Sequence, residues 1–109
     1  MEDQLSLMKS DFFKALAHPT RIKILMCLRG GEVCVCDIIA SLGLEQSNVS
    51  QHLAILRKEN IITTTKVGLK VMYRVKYPEI FVILDSVQEL LAGRLRENEA
   101  LIRQLEANS

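Results

Sequence analysis

The chain lacks any long uncharged run: its longest stretch without Asp, Glu, Lys or Arg is Gln46–Leu56, 11 residues. A membrane-spanning helix needs about 20 apolar residues, so none is expected. The first ten residues carry acids and no apolar stretch, so no secretory leader is expected either. Cysteine is scarce and odd in number, three in 109 residues, which points to free thiols in a reducing, cytoplasmic setting. Only two prolines and five glycines are present, with no repeat, low-complexity tract or Pro/Gly/Ser-rich linker. A single domain over residues 1–109 is therefore expected. Catalytic equipment is missing as well. There is no serine with a plausible His and Asp partner, no glycine loop to cradle a phosphate, and no constellation to activate a metal-bound water. An enzyme is not expected.

The net charge of +1 conceals an uneven distribution. Residues 1–44 are neutral and residues 77–109 carry −3. Residues 45–76 carry +4, from Arg57, Lys58, Lys66, Lys70, Arg74 and Lys76 against Glu45 and Glu59. A basic middle between neutral and acidic flanks suits a local phosphate-contacting surface.

Apolar spacing divides the chain into helices and one hairpin. Leu5, Met8, Phe12 and Leu16 fall 3, 4 and 4 apart, so Leu5–Ala17 reads as a helix. His18-Pro19 interrupts it, and Pro19 suits the first position of a second helix to about Leu28. That helix should bury Ile22, Ile24, Leu25 and Leu28 and stop at Gly30-Gly31. A third helix is expected from about Cys34 to Leu42, closed by Gly43, and a fourth from Gln46 to Glu59, closed by Asn60 in a left-handed conformation. Val49, Leu53 and Leu56 share one face of the fourth. Ile61–Thr65 and Val71–Val75 are rich in β-branched residues, and Gly68 lies between them, which predicts a β-hairpin. After Pro78 the chain reads as one long helix to about Glu106, with Ile80, Leu84, Val87, Leu91, Ile102 and Leu105 as its apolar stripe. Such a helix is too long for one small domain to cover. The same helix of a second copy is the simplest partner.

Two short helices joined by Gly43-Leu44-Glu45 and followed by a basic hairpin make a winged helix-turn-helix pattern, mainly α with a β-hairpin wing. The fourth helix opens Gln46-Ser47-Asn48-Val49-Ser50-Gln51-His52, six of them hydrogen-bonding residues. A helix fits the major groove, where Gln and Asn pair with adenine and Ser serves bases or phosphates. With Val49, Leu53 and Leu56 inward, Ser47, Ser50 and Gln51 face out. Gln46, Ser47, Asn48, Ser50, Gln51 and His52 are thus the candidate readers of double-stranded DNA. Lys66, Lys70 and Arg74 are the candidate phosphate contacts of the wing. A protein-interaction module would leave this arrangement unexplained.

Leu16-Ala17-His18-Pro19-Thr20-Arg21 with Ile24-Leu25 is similar to the opening signature of ArsR/SmtB-type transcriptional repressors. Ser50-Gln51-His52-Leu53-Ala54-Ile55-Leu56-Arg57 resembles their recognition helix, and Gly68–Val75, with Tyr73 before Arg74, resembles their wing. The likeness runs in register from Phe12 to Val75. It implies a homodimeric repressor that leaves its operator on binding an inducer, with the terminal helices, 5–17 and 78–106, as the dimer interface.

Glu32-Val33-Cys34-Val35-Cys36-Asp37 is the most informative short stretch. Thiolates two residues apart at a helix start can converge on one soft ion, and the helix N-terminus favours the thiolate. The hexapeptide resembles the metal-binding box of arsenite, antimonite, cadmium and lead sensors of that family. By this likeness Cys34 and Cys36 are ligands of a thiophilic inducer, placed to tilt the recognition helix. Arsenite-type sites take a third thiolate, but Ile38 and Ile39 follow here. Residues 1–20 also lack the cysteines that cadmium and lead sensors draw from that segment. Cys27, of this subunit or of its partner, stands as a possible third ligand or a buried structural thiol, and a small thiol or solvent could complete the set. No constitutive cofactor is implied. The same pair could instead act as a redox or reactive-sulfur sensor. A Cys34–Cys36 disulfide is expected to be strained by its short loop, whereas a bond from either to Cys27 need not be. Zinc, nickel or cobalt sensing fits poorly, because the last helix contains no histidine. His18 and His52 are better explained by local packing or DNA contact than by metal ligation.

Overall fold

A computed structural model describes residues 2–109. In order it contains α1 (Glu2–Leu16), α2 (Pro19–Cys27), β1 (Val33–Cys34), α3 (Val35–Leu42), α4 (Gln46–Lys58), β2 (Ile62–Val67), β3 (Lys70–Val75) and α5 (Glu79–Ala107). Two compact units result, one ending at Tyr77 and the other Pro78–Ser109.

The first unit is held by one apolar core. Ile24, Leu25 and Leu28 follow the helical spacing of α2 and its end, and Ile38 comes from α3. Val49, Leu53 and Leu56 come from α4, and Ile61 and Ile62 lead into β2; all nine are at most 2% exposed. Ile22 departs from expectation and is exposed. At about 100° per residue it lies about a third of a turn from the centre of the stripe made by residues 24, 25 and 28.

The helix ends are set by local chemistry. Pro19 opens α2, and the N-cap His18 accepts a hydrogen bond from the Thr20 N–H at Nδ1, 3.1 Å. Gly43 ends α3 at φ 64°, and Asn60 turns the chain after α4 at φ 61°. Both belong to the left-handed region, which Gly and Asn tolerate best.

The sheet has three strands rather than two. β3 is central, with β2 antiparallel on one side and β1 antiparallel on the other. β1 pairs Val33 with Tyr73 and Cys34 with Met72. Cys34 therefore belongs to a strand and caps α3, instead of lying inside that helix as the spacing predicts. The hairpin is also longer than expected and turns tightly through Gly68, at φ 62°, and Leu69, which is fully exposed.

α5 is one uninterrupted helix of 29 residues, about 43 Å long. Val87, Leu90, Leu91, Leu95, Leu101, Ile102 and Leu105 are all exposed along it. On α1, Leu5, Leu7, Met8 and Phe13 are likewise exposed, while Leu16 is buried. No helix among the described residues is long and apolar enough to cross a membrane.

Leu56→Ala should cost about 2–5 kcal/mol of unfolding free energy, because a fully buried Leu leaves a cavity. Ile55→Ala, one residue along and 41% exposed, should cost well under half of that; urea unfolding of both variants checks the difference.

Candidate nucleic-acid interface and thiol pair

The buried stripe of α4 fixes which side chains point outward. With Val49, Leu53 and Leu56 in the core, Gln46, Ser47, Asn48, Ser50 and Gln51 are all exposed. His52 differs. Its ring lies 4.3 Å from that of His18, centroid to centroid, tilted by 37°, so it packs toward α2 and away from the exposed row. Its Nδ1 is buried with no hydrogen-bond partner. Burial foremost, then the neighbouring His18 and Arg21, hold its pKa below the usual histidine value.

The wing's basic residues do not form one cluster. Opposed residues in the antiparallel ladder share a face, and successive residues alternate. Lys66 faces Val71 across the ladder, whereas Arg74 faces Thr63 and Lys70 faces Val67. Lys66 is thus on one side of the wing, and Lys70 and Arg74 are on the other. All three are exposed.

A second basic group went unassigned in the sequence. Arg57 and Lys58, in the last turn of α4, line an open cleft of about 440 Å3 together with Ser50, Leu53, Ala54 and Tyr73 of β3. Their contribution to the +4 segment was visible, but only the packing of α4 beside β3 places them near Tyr73.

Cys34 and Cys36 are brought together at the start of α3. The expected free thiols are corrected here: the structure pairs Cys34 with Cys36 as a disulfide, Cα–Cα 5.3 Å, and leaves Cys27 as a half-buried free cysteine. The extended backbone of Cys34 followed directly by a helical turn brings the two side chains together, at a Cα separation ordinary for disulfides. Cys34 is buried and Cys36 is exposed. The Cys36 N–H also points at Cys34 Sγ, 3.3 Å, so the sulfur doubles as the cap of α3. Among the described residues no group of three His, Cys, Asp or Glu could hold a metal ion. Among the described residues Cys27 therefore does not join Cys34 and Cys36 in such a group.

Histidine's ordinary value is about 6.5 and His52 lies below it in the folded chain. Between those two values the unfolded chain binds the extra proton. Stability should fall as pH drops below about 6.5 and level off once the lowered value is passed. Thermal melts from pH 8 to 5 should show this, and His52→Gln should flatten part of the fall; equal profiles would remove His52 as the cause.

Comparison with known proteins places the chain. Residues 18–64 match the family described as bacterial regulatory protein, arsR family. An HTH-type transcriptional regulator of Mycobacterium tuberculosis, Rv0081, is 35% identical over 106 residues, covering 96% of this chain and 93% of that protein. Its crystal structure superposes with a TM-score of 0.79 over 86% of this chain and 95% of that one. The arsenical resistance operon repressor of Escherichia coli is 41% identical over 69 residues, 62% of this chain and 59% of the repressor. Reduced HlyU from Vibrio cholerae shares 30% identity at a TM-score of 0.73, covering 82% and 94% of the two chains. With α4 exposed beside a three-stranded wing and a relative matched over almost its whole length, the chain belongs to the ArsR family of winged helix-turn-helix transcriptional regulators, DNA-binding proteins rather than enzymes.

Proposed function

We propose that the chain is a homodimeric repressor that leaves double-stranded operator DNA when a thiophilic metal or metalloid engages Cys34 and Cys36. Arsenite or antimonite, or cadmium or lead, are the inducers this reading names. The observation that carries it is the closeness of the two sulfurs, which reduction frees as a pair of thiols, at the start of α3, the helix that a three-residue link joins to α4. The arsenical resistance operon repressor among the relatives supports the ion class. Gln46, Ser47, Asn48, Ser50 and Gln51 read the major groove in this scheme, with His52 bracing α4 against α2. Lys66, Lys70 and Arg74 hold phosphates. Residues 1–109 act as one functional domain, and the exposed apolar residues of α1 and α5, within 5–17 and 78–106, are the surfaces that meet a second copy.

Cys34 couples sensing to reading in two ways. Its sulfur caps α3, and its backbone pairs with Met72 in the wing's central strand. Drawing Sγ toward an ion moves it relative to the Cys36 N–H and pulls on both elements. Binding of the ion and of DNA must then oppose each other reciprocally.

A second reading rests on the disulfide itself. Two thiols at this site can lose two electrons and two protons to a polysulfide or similar oxidant, forming the Cys34–Cys36 bond. A pair without a third protein ligand suits that chemistry, and a relative described in its reduced form is in keeping with it.

Fluorescence anisotropy of the reduced protein on DNA from upstream of its own gene separates the two. Release by arsenite or cadmium, absent in Cys34→Ser, supports metal or metalloid sensing. Release by polysulfide alone, reversed by a reductant, supports the redox reading; no release by any of them overturns both. On the DNA side, Gln51→Ala should relax sequence preference by about 1–3 kcal/mol at one base pair, whereas Lys70→Ala should weaken operator and random duplexes alike. Equal losses on both duplexes for both variants would end that division of labour.

A further inference from the structure

The cleft between α4 and the wing calls for a role that the sequence pattern does not give it. We propose that it is a seat for a backbone phosphodiester of duplex DNA, with Arg57 as its principal cation and Lys58, Ser50 and Tyr73 as its other polar groups. This rests on the DNA-binding reading above and adds to it Arg57, Lys58 and Tyr73, which lie outside the row of base readers and outside the basic wing residues, while Ser50 is shared with that row.

Geometry supplies the first reason. A protein that sets a helix in one groove and a hairpin beside the next must straddle the sugar-phosphate strand between those grooves. Whatever lines the notch between α4 and β3 is what that strand meets. The notch is lined by Ser50 and Arg57 of α4 and Tyr73 of β3. Ser50 lies next to Gln51, and Arg57 lies about 10 Å further along the helix axis, so the seat begins where base reading ends.

Chemistry supplies the second. No carboxylate residue lines this cleft; its lining is Leu53 and Ala54, the cationic Arg57 and Lys58, and the hydroxyl-bearing Ser50 and Tyr73. Among the described residues neither Arg57 nor Lys58 has an ion-pair partner. A neighbouring cleft of nearly equal volume, about 430 Å3, shows the contrast: Asp11 and Glu59 line it beside Lys14 and Lys58. That mixture neutralises itself and shares Lys58 with the α4–β3 cleft, whose uncompensated positive charge is therefore that of Arg57. Arg57 also presents a planar fork of donors suited to phosphate oxygens.

Anchoring supplies the third. Tyr73 occupies the central strand and is paired on both sides, with Val33 of β1 and Thr64 of β2. Its hydroxyl is carried by the best-tied strand of the sheet, so that wall of the seat is held in register.

The rival role for Arg57 is favourable charge at the C-terminal end of α4, where the helix dipole is negative. That role would change stability and leave salt dependence alone. The test is therefore the slope of log affinity against log salt, on a duplex from upstream of the protein's own gene and on a random duplex. Arg57→Ala should reduce the slope by about 1 and weaken both duplexes by the same several-fold factor, whereas Arg57→Lys should keep the slope. A methylphosphonate scan of the gene-upstream duplex gives a second readout that leaves the protein unchanged. One neutralised phosphate should weaken the wild type several-fold and add nothing to Arg57→Ala. An unchanged slope, a loss confined to the specific duplex, or additive losses at every phosphate would overturn the seat while leaving DNA binding intact. If wild-type binding to either duplex shows no salt dependence, the DNA-binding reading fails, and the seat with it.

Discussion

The structure depends on one constraint: α4 can present a polar face only because its opposite face is locked into an apolar core. Val49, Leu53 and Leu56 are each at most 2% exposed, against Ile24, Leu25 and Leu28 and alongside Ile38. Burying three such side chains contributes several kcal/mol of apolar transfer free energy, enough to fix the rotation of a 13-residue helix about its axis. Rotation by one residue, about 100°, would bring Ser50 inward and Val49 out. The same packing that stabilises the unit therefore decides which side chains can touch a base. The connection through Gly43, in a left-handed conformation that a Cβ would strain, keeps α3 and α4 at their angle.

Elements with strong local signals were legible in the sequence. Pro19, Gly43, Asn60 and Gly68 each act through their own backbone preferences, so the helix ends and the wing turn could be placed within a few residues. The apolar spacing of α4 gave its inward face for the same reason. What escaped is tertiary. β1 is two residues long, and nothing in Val33-Cys34 announces a strand; its partner lies about forty residues away. Ile22 fits an apolar pattern, but only the placement of α2 against its neighbours decides whether that position is covered. His52 sits in a run of polar residues that reads as outward, yet its contact with His18 across the α2–α4 packing turns it aside. The division of Lys66 from Lys70 and Arg74 follows from ladder register, which charge counting does not see. The cleft beside Arg57 required both α4 and β3 to be in place.

The thiol pair shows how a short segment can serve several neighbours. Cys34 is at once an extended residue of the sheet, the cap of α3 and half of a disulfide. Cys36, one turn-start later, is exposed. This division leaves Cys36 at the surface and Cys34 embedded in the scaffold, with a single bond between them.

Two of the helices that seat α4 begin on unusual caps. Most helices start on a Ser, Thr, Asp or Asn side chain whose acceptor is always available near neutral pH. Here α2 starts on a histidine ring nitrogen and α3 on a cysteine sulfur. Both caps belong to side chains that also touch other parts of the unit: the His18 ring packs beside His52 of α4, and Cys34 is bonded to Cys36 and paired with the wing's central strand. Losing an N-cap costs about 0.5–2 kcal/mol, and coupling between distant sites in proteins commonly amounts to about 1–3 kcal/mol. The start of a helix is thus tied, at one end of the core, to a ring that packs on α4 and, at the other, to the thiol pair and the wing. The first hydrogen bonds of the two supporting helices are therefore made by side chains that also reach the recognition helix and the wing.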